Sequence, residues 1–193
     1  CAVGADRPLA LTVDNNIPLG RGLGSSSAAF AAGALAAWKA VGEDHALERL
    51  FELVAELEGH PDNAAAAVYG GLVLAVGKVV HRLPWNPMIR LVVAVPSRPF
   101  ATREARQALP TVYPMDVIVR TIGRTASLVA GLMTGDGEVL RSASGDELHE
   151  APRGALRPDT AGLISTALSA GALHACWSGA GPSVLAMGPA GAV

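Results

Sequence analysis

The spacing of apolar residues along this chain switches repeatedly between helical and strand periods. Between Asp44 and Glu58, Leu47, Leu50, Phe51, Val54 and Leu57 recur at i, i+3, i+4, i+7 and i+10 with charges opposite, which predicts an amphipathic helix ending at Gly59. Ser25 to Ala40 is rich in Ala, carries Phe30, Leu35 and Trp38, and stops at Gly42. It reads as a tightly packed helix whose opening serines are able to cap free N–H groups. Asp62 to Tyr69 reads as a short helix. Ala101 to Leu109, Asp116 to Met133 and Leu156 to Ala170 are helical, the middle one placing Ile118, Ile122, Ala126, Val129 and Met133 on one face. Strands are predicted at residues 8–13, Leu72 to Val76, Val79-Val80, Leu173 to Trp177 and Val184 to Met187, with Ile89 to Val95 as a buried strand.

Punctuation then sets the organisation. Leu83-Pro84-Trp85-Asn86-Pro87 is the candidate boundary, giving domains 1–84 and 88–193. Strands interleaved with helices in both halves predict an α+β fold of two packed subdomains with a cleft between them. The chain starts at Cys1 in core-like sequence and stops at Val193 just after a strand-like run, so it reads as an internal piece of a longer protein whose exposed sheet edges would leave it poorly stable and weakly active.

Composition narrows the function classes. The 193 residues are 50% hydrophobic and 17% charged with a net charge of −2, which fits a globular core and lacks the positive face that nucleic acid or a membrane surface demands. A small molecule is the expected partner. Cys1 and Cys176 have no metal spacing and form no disulfide framework, which fits a reducing cytoplasm. The longest apolar stretches are broken by polar residues before the roughly 20 needed to span a bilayer.

Two motifs carry chemistry. Pro18-Leu19-Gly20-Arg21-Gly22-Leu23-Gly24-Ser25-Ser26-Ser27-Ala28 sets alternate glycines ahead of a helix. Glycines let backbone N–H groups approach an anion, the helix N-terminus adds positive charge, and serines add hydroxyl donors, so the loop suits phosphate. A flexible turn ending in a serine-capped helix is the plainer alternative. No Lys follows the last glycine, as a Walker A loop requires, and the alternating glycines do not match the dinucleotide spacing. A dinucleotide-dependent oxidoreductase would need an acid about 20 positions on at a strand end, and Glu43 and Asp44 lie between helices. The second motif, Glu58-Gly59-His60-Pro61-Asp62-Asn63, sets two acids, an imidazole and an amide across a helix break. Glu58 and a serine hydroxyl are hard oxygen ligands suited to Mg²⁺, while His60, Asp62 and Asn63 serve a pocket or cap a helix.

Together these motifs resemble the GHMP kinase superfamily, and their wording is most similar to its homoserine-kinase branch. Pro18 to Ala28 matches Pro-x-x-x-Gly-Leu-Gly-Ser-Ser-x-Ala. Glu58 to Asn63, Ala64 to Ala67 and Gly70-Gly71 match the second family segment, and Ser178-Gly179-Ala180-Gly181-Pro182-Ser183 matches a third, a turn between strands. The resemblance implies a ribosomal S5 domain 2-like first part and a ferredoxin-like α/β sandwich second part. It implies that residues Pro18 to Ala28 wrap ATP, that Ser26 and Glu58 hold Mg²⁺, and that His60, Asp62 and Asn63 line an amino-acid pocket, with Asn63 near the attacking hydroxyl. It also implies that Thr102 approaches that hydroxyl, and that Arg106 and Arg153 grip the carboxylate of L-homoserine. Thr102 and Arg106, at i and i+4, share a helix face, and a guanidinium suits a carboxylate; without the resemblance each arginine reads as a solvated surface charge. A homodimer is left open as a further partner. The alternatives are another GHMP kinase acting on a mevalonate-type or sugar substrate, and a non-catalytic nucleotide-binding homologue or fragment.

Overall fold

The apolar stripe of the amphipathic segment and the small faces of the Ala-rich segments meet in one cluster. The computed structural model describes residues 10–191. The chain divides into two compact units, one built on Gly24–Pro84 and the other on Trp85 onward together with Pro18–Leu23.

In the first unit, α1 (Ser25–Ala40), α2 (Leu47–Glu58) and α3 (Pro61–Tyr69) precede a hairpin of β1 (Leu72–Val76) and β2 (Val79–Leu83). Ala31, Ala34 and Trp38 of α1 pack with Leu50, Phe51, Val54 and Ala55 of α2 and with Ala64 and Ala65 of α3. Leu50, Phe51 and Val54 are each at most 3% exposed, worth about 1.5–3 kcal/mol apiece in apolar burial. Gly59 takes a left-handed conformation and its N–H bonds to the Ala55 carbonyl, which stops α2 and releases the chain into Pro61 at the first turn of α3. The hairpin runs antiparallel from Leu72 opposite Leu83 to Val76 opposite Val79.

In the second unit, β5 (Val184–Pro189) lies between β3 (Ile89–Ala94) and β4 (His174–Trp177), antiparallel to both. The helices are α4 (Thr102–Gln107), α5 (Met115–Thr134), α6 (Gly137–Ser142), α7 (Glu150–Leu156) and α8 (Pro158–Ser169). Leu163, Ile164 and Ala167 of α8 pack on Ala175 of β4 and on Val184 and Ala186 of β5. Asn86 donates to the Thr134 carbonyl at 2.7 Å and so closes the end of α5.

Several expectations need correction. Ala10–Val13 form no strand; Leu11 and Val13 are each 71% exposed, and no described strand offers them a ladder. Pro8 and Leu9 lie outside the described residues, as does Cys1. β3 is not buried: as an edge strand it leaves Leu91, Val92 and Val93 between 42% and 47% exposed. α5 leaves the face that groups Ile118, Ile122, Ala126, Val129 and Met133 only partly covered: Ile118 and Val129 are half-buried, while Ile122 is 64% exposed. Its buried positions are Gly131 and Leu132, because Gly131 lets Leu140 of α6 come so near that an added Cβ would sit 2.9 Å from its Cα. Among the described residues, α5 alone is long and apolar enough to cross a membrane by length and composition; it also carries Arg120 and Arg124, both bonded to Glu147. Helices α6 and α7 were not anticipated.

Candidate functional site

The glycine loop is divided between the two units, and its two parts are built differently. In the second unit the carbonyls of three successive residues are taken up. Gly20 accepts from the Phe100 N–H at 3.2 Å and Arg21 from the Ser183 N–H at 3.3 Å. Gly22 accepts from the Ser178 hydroxyl at 2.6 Å. The Arg21 guanidinium donates to the Ser97 carbonyl. None of the N–H groups from Gly20 to Leu23 donates a hydrogen bond among the described residues. A stretch with its carbonyls bonded and its N–H groups free suits an anion.

The partner of this stretch is the turn Ser178–Ser183. Ser178 N–H donates to the Ser183 carbonyl and Gly181 N–H to the Ser178 carbonyl, each at 2.8 Å. The buried Thr160 hydroxyl donates to the Pro182 carbonyl at 3.2 Å. Sequence reasoning found this turn only as a motif; its attachment to Arg21 and Gly22 carries no local signal.

In the first unit, Gly24 is the N-cap of α1 in a left-handed conformation, and no side chain caps the helix. The expected serine cap is therefore not made. The first turn has no acid, and the N–H groups of Ser25, Ser26 and Ser27 make no hydrogen bond among the described residues. Ser27 is fully buried and its hydroxyl has no hydrogen-bond partner among the described residues. The packing of α1 on α2 brings Ser26 to Glu58, the hydroxyl donating to Oε2 at 2.8 Å. No group of three or more His, Cys, Asp or Glu able to hold a metal occurs among the described residues. The Ser26–Glu58 pair fits Mg²⁺ because that ion is commonly held by one or two protein oxygens with waters and phosphates completing its shell. His60 is the N-cap of α3 without making a side-chain cap. Asp62 and Asn63 occupy the first turn, and neither caps it; none of the three side chains has a hydrogen bond among the described residues.

The second unit groups the other candidates. Thr102 opens α4, and Arg106 follows one turn later, exposed and without an ion pair among the described residues. Arg153 of α7 is 7% exposed and is not a solvated charge. Its Nε donates to the Ala105 carbonyl at 3.3 Å and one terminal nitrogen to the Gly179 carbonyl at 3.0 Å. No carboxylate pairs with it among the described residues. Burial holds its pKa below the usual arginine value, the nearby Arg106 charge adds to this, and Asp146 and Tyr113 oppose it. Two guanidiniums whose charges oppose one another favour a negative charge between them.

The approach to α7 is held firmly. Glu147 accepts both Arg120, through Nε at 2.9 Å and a terminal nitrogen at 2.7 Å, and Arg124. Asp146 accepts from the Leu148 N–H at 2.8 Å and lies 2.7 Å from His149 Nδ1. Burial, reinforced by Asp146, pushes the Glu150 carboxyl up to about 7. Burial likewise pushes the Cys176 thiol up to about 12, which keeps it protonated.

The description "GHMP kinases N terminal domain" matches residues 2–71 and "GHMP kinases C terminal" matches residues 128–192. A homoserine kinase from Thermus thermophilus is 43% identical over 186 residues, covering 95% of this chain and 64% of the relative. One from a Synechococcus species is 40% identical over 176 residues, covering 89% and 56%. The chain thus spans somewhat under two thirds of the length of these relatives. The crystal structure of homoserine kinase from Cytophaga hutchinsonii superposes with a TM-score of 0.83 at 33% identity, covering 92% of this chain and 59% of that one. A 4-(cytidine 5'-diphospho)-2C-methyl-D-erythritol kinase shares the fold at a TM-score of 0.56 and 20% identity over 90% of this chain and 59% of that one. With matches to both halves of one family in chain order, and with relatives of that family aligned along nearly its whole length, the chain belongs to the GHMP kinases.

Proposed function

We propose that the protein transfers the γ-phosphoryl group of ATP to the side-chain hydroxyl of L-homoserine, giving O-phospho-L-homoserine in threonine biosynthesis in the cytoplasm. The observation that carries this reading over acceptors without a carboxylate is Arg153, a buried guanidinium that among the described residues is bonded to carbonyls and lies near a second guanidinium, Arg106, that makes no ion pair among them. Breaking or leaving such a charge without a counter-ion is costly, and an amino-acid carboxylate supplies one. Mevalonate carries a carboxylate too, so the assay must compare the acceptors directly.

The free N–H groups of Gly20 to Ser27 would receive the triphosphate, with Pro18, Leu19 and Ala28 bounding the loop. Ser26 and Glu58 would hold Mg²⁺, which when bound neutralises charge on the phosphate oxygens. Arg106 and Arg153 bind the acceptor carboxylate, and His60, Asp62, Asn63 and Thr102 orient the acceptor, Asn63 and Thr102 next to its hydroxyl. The hydroxyl oxygen forms a bond to the γ-phosphorus as the bond to the bridging oxygen of ADP breaks, and the hydroxyl proton is released. The transition state is loose, so alignment and fixed positive charge carry most of the acceleration, without a strong base.

ADP release by the intact protein, supplied with ATP, Mg²⁺ and each acceptor in turn, tests the reading. Turnover with homoserine far above that with mevalonate or a sugar is expected. Preference for either of those would replace it with another GHMP kinase activity. ATP binding without turnover on any acceptor would replace it with a nucleotide-binding role.

A further inference from the structure

Between the loop residues Gly20–Gly22 and the start of α4 runs a short strap, Ser97 to Phe100, and every fixed point of that strap lies in the second unit. From one side the strap is tied to the loop, because Phe100 N–H donates to the Gly20 carbonyl at 3.2 Å and the Arg21 guanidinium to the Ser97 carbonyl. From the other side it is tied to Arg157. One terminal nitrogen of that guanidinium donates to the Pro99 carbonyl at 3.2 Å and reaches the Arg98 carbonyl at 3.5 Å. The guanidinium also lies 5.6 Å from the centre of the Phe100 ring, within cation–π range.

Arg157 is itself immobilised. Its side chain is 7% exposed, and it forks onto Asp159 through Nε to Oδ1 at 2.8 Å and a terminal nitrogen to Oδ2 at 2.6 Å. Phe100 is 4% exposed and packs with Ala105 of α4 and with Trp177, the residue that enters the Ser178–Ser183 turn. A single buried cation therefore fixes a segment that is tied to the loop at both ends, Ser97 and Phe100, and that runs on from Phe100 into the helix carrying Thr102 and Arg106.

We infer that Arg157 is a positioning residue that sets the phosphate loop and the acceptor-binding face of α4 together, through the Ser97–Phe100 strap. This rests on the proposed kinase reading for what the two ends bind. It touches neither substrate. Loosening it moves both ends of the strap, so the affinities for nucleotide and acceptor change together.

The test is steady-state kinetics of the intact protein with Arg157→Gln and Arg157→Lys, at a temperature well below the measured melting point of each. Arg157→Gln is expected to raise both KM values, for ATP and for the acceptor, on the order of 2- to 30-fold, the range for residues that act on a site through others. Arg157→Lys keeps a charge near Phe100 and a donor for Pro99, and recovers a large part of both. A lower melting temperature with both KM values unchanged, or a rise in only one of them, overturns the inference. Where Arg157→Gln does not fold, Asp159→Asn, which frees the fork but keeps the cation, must raise both KM values, and unchanged values overturn it. Wild-type turnover of a different alcohol would end the homoserine reading, while the KM pair measured with that alcohol still decides the role of Arg157.

Discussion

Gly22 and Gly24 lie two residues apart in one loop with nearly the same left-handed backbone, φ of +69° and +73°, yet their surroundings are opposite. A Cβ on Gly22 would sit 2.1 Å from the Ser178 carbonyl oxygen and 2.8 Å from backbone atoms of Gly181, whereas one on Gly24 would meet nothing within 4 Å. Gly22 is needed for close approach to another piece of backbone. Gly24 is needed only for its torsion, at the open start of α1. The first part of the loop is thus packed against protein and held through its carbonyls, and the second stands open, while the N–H groups of both make no hydrogen bond among the described residues.

The sharpest way to break this contrast is Gly22→Ala. Left-handed strain plus a backbone collision should cost about 3–5 kcal/mol, seen as a fall in melting temperature together with a large rise in the ATP KM. Acid loosens the same anchor from the strand that leads into it. His174 on β4 is 2% exposed, and burial pushes its imidazole down to about 4. An unfolded histidine protonates near 6.5, so between pH 6.5 and 4 the unfolded chain binds a proton that the folded chain refuses. The His174 contribution to stability is full above pH 6.5 and falls by about 3 kcal/mol on acidification to pH 4. Glu150 works the other way, since a carboxyl raised to about 7 keeps its proton in the folded state and costs stability as pH climbs from the ordinary carboxyl range to 7. Melting curves against pH check this: the two contributions offset one another over much of the range, so Glu150→Gln should expose the loss toward acid and His174→Gln the loss toward pH 7.

Ser178→Ala removes the donor to the Gly22 carbonyl and should cost about 1–3 kcal/mol, with a moderate rise in the ATP KM. Gly24→Ala should be mildest, about 1–2 kcal/mol of torsional strain. If Gly24→Ala proves as damaging to stability as Gly22→Ala, the distinction between a packed and an open half of the loop is wrong.

Helices with a strong period or clear ends were legible in the sequence: α2 from Leu50, Phe51 and Val54, and α1 from its Ala content. The loop, Ser26 with Glu58, and the two arginines stand out through their resemblance to a family pattern; Ser26 does meet Glu58, while what these residues bind is proposed. What was not legible depended on contacts distant in sequence. The inward face of α5 is chosen by Gly131 against Leu140, not by the apolar stripe. α6 had a signal, since Asp136 accepts from the Glu138 and Val139 N–H groups, but the helix is too short to show a period. The burial of Arg153 and Arg157 follows from the carbonyls they find on α4, the strap and the Ser178 turn, and no spacing rule announces those partners.

The account stands or falls on the pair of arginines as a carboxylate site. The homoserine and ATP KM values of the intact protein carrying Arg106→Ala decide it most directly: the homoserine KM should rise at least about 10-fold, as expected for losing a charge-assisted pair, while the ATP KM stays near wild type. An unchanged homoserine KM would contradict it.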